Sequence, residues 1–142
     1  MSDQEPIRGI VVAHGSLAVG LVDAVHRICG ADADCLVPLS NMGLSPERLA
    51  EAIGQAAGPG PTIVFTDLIG GSCGFVAARL CRELPNLAAI GGVNLPLLLD
   101  FVHHRQSPLP ELLPRLLQRG RASICCAPTP RWDDHVDRAV QG

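Results

Sequence analysis

The sequence predicts an α/β fold, a three-layer sandwich in which helices cover both faces of a mainly parallel four-stranded sheet. Short apolar runs bounded by turn residues, which are typical of buried strands, alternate with segments whose apolar residues recur at helical spacing. This alternation of strand and helix is repeated four times and predicts parallel strands joined by right-handed crossovers. Three of the predicted strands are followed by glycines, at positions 15, 70–71 and 91–92.

The predicted elements fall into two sets that alternate along the chain. The strands cover about 10–13, 33–39, 62–66 and 87–90, with a last short strand over 121–127. The helices cover about 17–29, 46–57, 73–83, 96–103 and 110–118.

Turn and cap residues delimit the elements of the first half. Gly15 lets the backbone turn after the first strand, and Ser16 is placed to cap the following helix, which Gly30 ends. Pro38 indicates that the second strand ends there or lies at an edge of the sheet. The run Ser45-Pro46-Glu47 opens the next helix with a cap, a proline at the first helical position and an acid in the first turn.

The second half is delimited in the same way. The run over 62–66, Thr-Ile-Val-Phe-Thr, has the highest β propensity in the chain. Pro85 prevents the third helix from continuing, and Pro96 begins the fourth. Gly120 is expected to end the fifth helix. The tail from residue 128 on is expected to be a weak helix or a loop.

Composition limits the class of protein. The 142 residues fit one domain over 1–142, with a core at about 8–127 and a tail over 128–142. Hydrophobic residues make up 47% and charged residues 18%, which argues against disorder. The net charge is −3, and all eleven basic residues are arginines that form no basic run, so nucleic-acid binding is disfavoured.

Targeting and metal-binding patterns are not evident. The polar, acidic segment over 1–6 does not resemble a signal peptide, and no apolar run approaches the roughly 18 residues of a membrane span. A cytoplasmic protein without membrane insertion is therefore expected. The six cysteines include no Cys-x-x-Cys pair, so no metal site and no cofactor are predicted. Asp100, His103 and His104 have a spacing that permits metal ligation, but a helix C-terminus favours histidines through its dipole alone.

Two polar residues are expected to meet at the carboxyl ends of the strands. His14 directly follows the first strand and Asp67 the third. If these strands are neighbours and the second strand lies outside the first, both loops flank the switch point at which open α/β sheets bind ligands. A carboxylate that accepts a hydrogen bond from one ring nitrogen leaves the other nitrogen free to act as a nucleophile. His14 and Asp67 are therefore the predicted catalytic pair.

The turn Gly70-Gly71-Ser72 predicts the kind of ligand. It leads into a helix, so its N–H groups and the positive end of the helix dipole favour an anion, phosphate above all. The hydroxyls of Ser16 and Ser72 can donate further hydrogen bonds. The sequence has no Walker loop and no lysine, so the site suits a phosphoryl group on an imidazole better than a nucleotide. Taken singly, His14 and Asp67 also fit structural roles, as a capped core histidine and a turn aspartate.

Three motifs in register resemble the mannose-type IIA component of the bacterial phosphotransferase system. They are GIVVAHGS over 9–16, TDLIGGS over 66–72 and GVNLPLL over 92–98, and the similarity covers about 8–120. The resemblance implies a cytoplasmic homodimer. It would accept a phosphoryl group from the phosphocarrier protein HPr on His14 and pass it to a IIB component, which feeds a sugar permease.

The resemblance also implies roles for other residues by position. Asp67 would orient the ring of His14, and Asn94 would lie on a neighbouring loop. The family commonly has a C-terminal strand, exchanged between subunits, that pairs antiparallel to the sheet, and Arg121–Cys126 is the candidate here. The residues expected around the phosphoryl group are Gly15, Ser16, Gly70, Gly71 and Ser72.

The chain departs from the family directly after Ser72. Cys73-Gly74-Phe75 stands where the family usually has a proline and, two residues later, an asparagine. Gly74 is expected to loosen this loop, and a helix N-terminus is expected to lower the pKa of the Cys73 thiol. Cys73 is therefore, like Asn94, a further residue expected to line the site.

Two alternatives to a phosphocarrier remain open. In a thiol enzyme, Cys73 would be the nucleophile, His14 the base and Asp67 the orienting group. In a regulatory module, another protein would sense the phosphorylation state of His14. The chemistry at His14 is the same in a carrier and in a regulator, so the sequence does not separate them.

Overall fold

The computed structural model describes residues 5–128 and contains a four-stranded parallel sheet with the strand order β2-β1-β3-β4. The strands are β1 (Arg8–Ala13), β2 (Leu36–Ser40), β3 (Thr62–Thr66) and β4 (Leu87–Ile90). The helices are α1 (Leu17–Cys29), α2 (Pro46–Ala57), α3 (Gly71–Glu83), α4 (Leu95–His104) and α5 (Leu109–Ala122), with a 3₁₀ helix over Gly30–Cys35. The predicted α/β sandwich is confirmed, and β1 and β3 are neighbours as predicted.

Helices cover both faces of the sheet, which explains why the central strands are apolar throughout. Successive side chains point to opposite faces, so Val11 packs with α1, α4 and α5, whereas Ile10 packs with α2 and α3. On the first face, the rings of Phe65 in β3 and Phe101 in α4 meet edge to face, with their centroids 5.1 Å apart. The carboxyl ends of the strands are left uncovered between the two helical layers.

Two of the helices begin at side-chain caps. The Ser45 hydroxyl accepts a hydrogen bond from the backbone N–H of Arg48 at 3.2 Å, which confirms the predicted start of α2. The Asn94 side chain accepts one from the Leu97 N–H at 3.1 Å and caps α4. The prediction for Ser16 is wrong, because its hydroxyl makes no capping hydrogen bond at the start of α1.

The second strand is shorter at its start than predicted. Residues 33–35 belong to the 3₁₀ helix, which Gly30 initiates with a positive φ of 65°. The segment over 30–35 is rich in Gly, Ala and Asp, which have low strand propensity. Ala33 is fully buried against the core, so the 3₁₀ helix still contributes to packing.

The end of the fifth helix corrects two predictions. α5 continues past Gly120, which is buried against α4: a Cβ there would lie 2.9 Å from Cδ1 of Leu97. The glycine therefore permits close helix packing and does not end the helix. Consequently the predicted strand over 121–127, Arg121–Cys126 included, is wrong, since Arg121 and Ala122 form the last turn of α5 and 124–126 have no regular structure. Residues 129–142 of the predicted tail lie outside the described residues.

Helix lengths bear on membrane insertion. None of the helices within residues 5–128 is both long enough and apolar enough to cross a bilayer.

Candidate functional site

His14 and Asp67 meet at the carboxyl edge of the sheet because β1 and β3 are adjacent and in register. Val12 pairs with Thr66, so the chain brings the two residues just beyond the strands side by side. Nδ1 of His14 lies 2.8 Å from Oδ2 of Asp67, and the backbone N–H of His14 donates to the same oxygen at 3.0 Å. The second donor fixes the carboxylate relative to the strand end as well as to the ring.

The environment of Asp67 keeps its side chain ionised. Burial acts to raise the pKa of Asp67, but hydrogen bonds from the backbone and ring of His14, the positive charge of that ring when it is protonated, and the Leu68 N–H outweigh burial, so the pKa is lowered. An ionised carboxylate only accepts hydrogen bonds. Nδ1 of His14 therefore carries the proton, and the lone pair of the neutral ring is on Nε2.

The free nitrogen lies close to the start of α3. Gly71, the first residue of that helix, has a positive φ of 76°, and a Cβ placed on it would lie 3.9 Å from Nε2 of His14. No side chain caps α3, so the N–H groups of its first turn remain available. The His14 side chain is 43% exposed, whereas that of Asp67 is only 12% exposed. An anion can thus approach the ring from solvent and meet the positive end of a helix.

The carboxyl end of β2 adds two polar residues that were not predicted from the sequence. The Asn41 side-chain amide donates to the Ser72 hydroxyl at 3.5 Å, and the Ser40 hydroxyl donates to the Gly15 carbonyl at 2.8 Å. These bonds join the loops that carry His14 and Gly71. Ser40 and Asn41 stand at the carboxyl end of β2, and the strand-end rule that selected His14 and Asp67 selects them as well.

Gly74 tightens the start of α3, contrary to the prediction. A Cβ at Gly74 would overlap the carbonyl oxygen of Ile69 and lie 2.6 Å from the carbonyl carbon. Gly91 allows an equally close approach, because a Cβ there would lie 2.8 Å from Cα of Ile69. The two glycines therefore clamp the loop that follows Asp67 between α3 and the end of β4.

Cys73 is fully buried, and its thiol pKa is raised, so the prediction of a lowered pKa is wrong. Burial is the main cause and the negative charge of Asp67 adds to it, whereas a hydrogen bond with Ser72 acts in the opposite direction. The three side chains of the alternative thiol enzyme do come together. Their thiol is nevertheless held in its protonated form, which is the less nucleophilic one.

The other predicted residues divide between the site and the scaffold. Gly15 turns the chain after His14 with a φ of 59°, and Ser16 is exposed beside it. Asn94 belongs to the scaffold, because its amide caps α4 and donates to the Gly120 carbonyl at 3.0 Å. Asp100 joins α4 to α5 through Arg115, with Nε to Oδ2 at 3.0 Å.

A family profile and a curated relative indicate the same family. Residues 9–113 match the sequence profile of the EIIA-man family, described as the PTS system fructose IIA component. The sorbose-specific EIIA component of the phosphotransferase system of Klebsiella pneumoniae is 30% identical in an alignment of 126 residues, which covers 84% of this chain and 90% of that protein.

Solved structures show the same fold. The mannose/sorbose-specific IIA subunit of the phosphotransferase system from Enterococcus faecalis superposes with a TM-score of 0.76 at 29% identity, over 89% of this chain and 98% of that one. The phosphotransferase system component EIIA from Streptococcus agalactiae has a TM-score of 0.79 at 24% identity, over 84% and 96% of the two chains. The profile match spans most of the chain, and the fold agrees with it. The chain therefore belongs to the mannose-type IIA components of the phosphotransferase system, a family with a general role in phosphotransfer.

Proposed function

We propose that the protein is a cytoplasmic phosphocarrier that accepts a phosphoryl group from phosphorylated HPr on Nε2 of His14 and passes it to a IIB component. One observation carries the proposal. The 2.8 Å contact between Nδ1 of His14 and Oδ2 of Asp67 leaves Nε2 without a proton, beside Gly71 at the N-terminus of α3.

The transfer needs only groups that the site supplies. The Nε2 lone pair forms a bond to phosphorus while the bond from phosphorus to the donor breaks, and that electron pair stays on the donor. The ring gains positive charge as the new bond forms, and Asp67 stabilises this charge through Nδ1–H. Transfer to the next protein is the reverse step, so the same geometry serves both directions.

The phosphoryl oxygens require donors on the opposite side of phosphorus. The N–H groups of Gly71 and Ser72 begin α3 without a side-chain cap, and the dipole of the helix adds to their effect. Asn41 and Ser72 offer an amide and a hydroxyl beside them. These donors can together hold the oxygens of one phosphoryl group, although the chain has no lysine.

Exposed apolar side chains around His14 support a protein as donor and acceptor. Met42, Leu68, Ile69 and Phe75 are 55–87% exposed and lie on the loops and the first helical turns at the carboxyl edge of the sheet. Large apolar side chains grouped in this way are typical of surfaces that bind other proteins. A small-molecule phosphoryl donor would not require them.

The direct test is phosphorylation by purified phospho-HPr, followed by intact mass and by acid lability. We expect wild-type protein to gain one acid-labile phosphoryl group and His14→Ala to gain none. His103→Ala is the matched control, because His103 is an exposed histidine on α4 outside the site, and it should be labelled like wild type. Equal labelling of His14→Ala and wild type would refute the assignment.

Transfer onward separates a carrier from a regulator. A carrier should lose its phosphoryl group to a IIB component encoded near its gene. A regulatory module should keep the group, and its binding to a kinase or transcription factor should depend on whether His14 is phosphorylated. Retention of the phosphoryl group in the presence of IIB would favour the regulatory alternative.

The proposal includes a homodimer, as the resemblance implies. Val19 and Ile28 of α1 are exposed apolar residues that a second subunit would cover. Light scattering should give a mass about twice the 14.9 kDa of one chain. A mass of one chain at micromolar concentration would contradict this part of the proposal.

A further inference from the structure

The site contains three side chains that can ligate a metal ion, although the sequence analysis expects none. Within residues 5–128, His14, Asp67 and Cys73 form the one group of three whose ligand atoms all lie within 4.8 Å of one another. The group combines an imidazole nitrogen, a carboxylate oxygen and a thiol sulfur, which are the ligand types that zinc prefers. The spacing of Asp67 and Cys73 in the sequence matches no zinc motif, so only the fold reveals the group.

The scaffold holds the three ligands with little freedom. Oδ1 of Asp67 accepts a hydrogen bond from the Leu68 N–H at 3.0 Å, which orients the carboxylate from behind. Cys73 lies in the first turn of α3, and that turn is fixed because its neighbour Gly74 packs on the Ile69 carbonyl. His14 is fixed at the strand end through its backbone N–H.

The distances suit a small tetrahedral ion. Bonds of about 2.0–2.3 Å bring the ligand atoms of zinc to roughly 3.3–3.8 Å from one another. Metal binding therefore requires Cys73 to come closer from a distance of at most 4.8 Å and the His14 ring to separate from Asp67, since those two atoms are now 2.8 Å apart. Gly71 has no side chain, and the His14 ring is half exposed, so an ion can enter from solvent and keep one position open for water.

We propose that His14, Asp67 and Cys73 bind one thiophilic divalent cation, Zn²⁺ above all, and that this cation and the phosphoryl group exclude each other. The second half rests on the proposed phosphocarrier function. On binding, the Cys73 thiol loses its proton to solvent and the sulfur donates an electron pair to the metal.

The exclusion follows from the electron count of the ring. A neutral imidazole has one lone pair. If the metal binds Nε2, it occupies the nitrogen that would attack phosphorus. If it binds Nδ1, the proton of the ring resides on Nε2, which then has no lone pair. If the cation binds Nδ1, it also replaces the hydrogen bond between the ring and Asp67.

Binding is tested with Co²⁺ as a spectroscopic probe on the reduced, metal-free full chain. We expect one equivalent to produce a near-ultraviolet thiolate-to-cobalt band. Cys73→Ala should lose the band, and His14→Ala should weaken binding by more than about 100-fold, since even partners that only orient metal ligands are worth about 10–100-fold. Cys73→Ser, which preserves the size of the side chain, should behave like Cys73→Ala.

Control variants locate the ion. Cys81→Ala removes a second cysteine of α3 that is outside the group and should leave the band unchanged. Absence of the band from wild type, or its persistence in both Cys73 variants, would overturn the proposal. Loss of the band in a Cys125→Ser/Cys126→Ser variant would likewise overturn it, because the ion would then reside at the exposed pair near the end of α5.

Exclusion is tested by the ratio of labelling rates with and without Zn²⁺, using pre-formed, purified phospho-HPr so that no other enzyme is present. For wild type, we expect the rate of labelling with Zn²⁺ to be at least about tenfold lower than the rate without it. For Cys73→Ser, the two rates should be nearly equal, even if this variant is labelled more slowly than wild type. A ratio near one for wild type would overturn the exclusion. A cobalt band without any labelling would refute the phosphocarrier function and leave metal binding intact.

Discussion

At the scale of single residues, the site depends on one carboxylate whose ionisation fixes the tautomer of a histidine. Asp67 receives hydrogen bonds from two groups of His14 and one of Leu68, and together they hold its pKa below the ordinary value of 3.8. The sequence could predict this pair because both residues directly follow strands whose adjacency the β-α order implies. It could not predict the raised pKa of Cys73, because the main cause is burial and burial is a tertiary property.

Stability should depend on pH through Asp67. The native carboxyl binds fewer protons than the unfolded one between the lowered native pKa and the unfolded value of about 3.9. Its contribution to the free energy of unfolding is therefore complete above the unfolded pKa and is lost as pH falls through the native pKa. The difference in unfolding free energy between wild type and Asp67→Asn should shrink as pH decreases from about 5 to 2 in urea titrations. A difference that is constant over this range would contradict the lowered pKa.

At the scale of secondary-structure elements, glycines set how closely the helices approach their neighbours. Gly74 allows α3 to lie on the backbone of the loop after Asp67, and Gly120 allows α5 to pack on Leu97 of α4. From the sequence alone, Gly74 predicts a loosened loop and Gly120 predicts the end of α5. Both predictions follow from the local conformational freedom of glycine. In the structure, however, each position requires glycine because of close contacts with residues that only the fold brings near. Where the cause is local, as for the Ser45 cap of α2, the prediction is confirmed.

Substitution of two helical glycines should therefore have opposite effects. Gly74→Ala places a Cβ into the carbonyl group of Ile69 and should lower the free energy of unfolding by about 1–3 kcal/mol or more, as overpacking does. Gly54→Ala in α2 is the matched control, because its Cβ would meet nothing within 4 Å, and it should raise stability by up to about 1 kcal/mol. Urea unfolding measures both. A destabilisation of equal size in the two variants would indicate that the close approach at Gly74 is unimportant.

At the scale of the whole molecule, the parallel sheet gathers its polar loops and several exposed apolar residues at one edge. The carboxyl ends of β1, β2 and β3 supply His14, Asn41 and Asp67, and the apolar side chains that follow them remain in solvent. The sequence predicted the edge because strand direction follows from the connections. It did not predict which apolar residues are exposed, because Ile69 and a core isoleucine are alike in sequence.

Docking of the phosphoryl donor should depend on the exposed apolar side chains at the carboxyl edge of the sheet. Ile69 is 87% exposed, so Ile69→Asp should leave the free energy of unfolding nearly unchanged while slowing labelling by phospho-HPr at least about tenfold, through an unfavourable charge at the interface. Gln55→Asp is the control, since Gln55 is exposed near the end of α2, away from the carboxyl edge of the sheet, and the same added charge there should not affect the rate of labelling. Equal rates for Ile69→Asp and wild type would place the docking surface elsewhere.

Because Gly74 and Gly91 hold the loop at residue 69, the side chains that a partner protein would contact are not the groups that fix the conformation of the loop. Gly74 and Gly91 pack only against main-chain atoms of Leu68 and Ile69 and against Cβ of Ile69. The outer parts of these two side chains therefore do not help to position Asp67. Those two positions can consequently be exchanged to suit a different protein without moving the carboxylate that prepares the imidazole. A designer wishing to redirect phosphate flow to a new acceptor would begin with them.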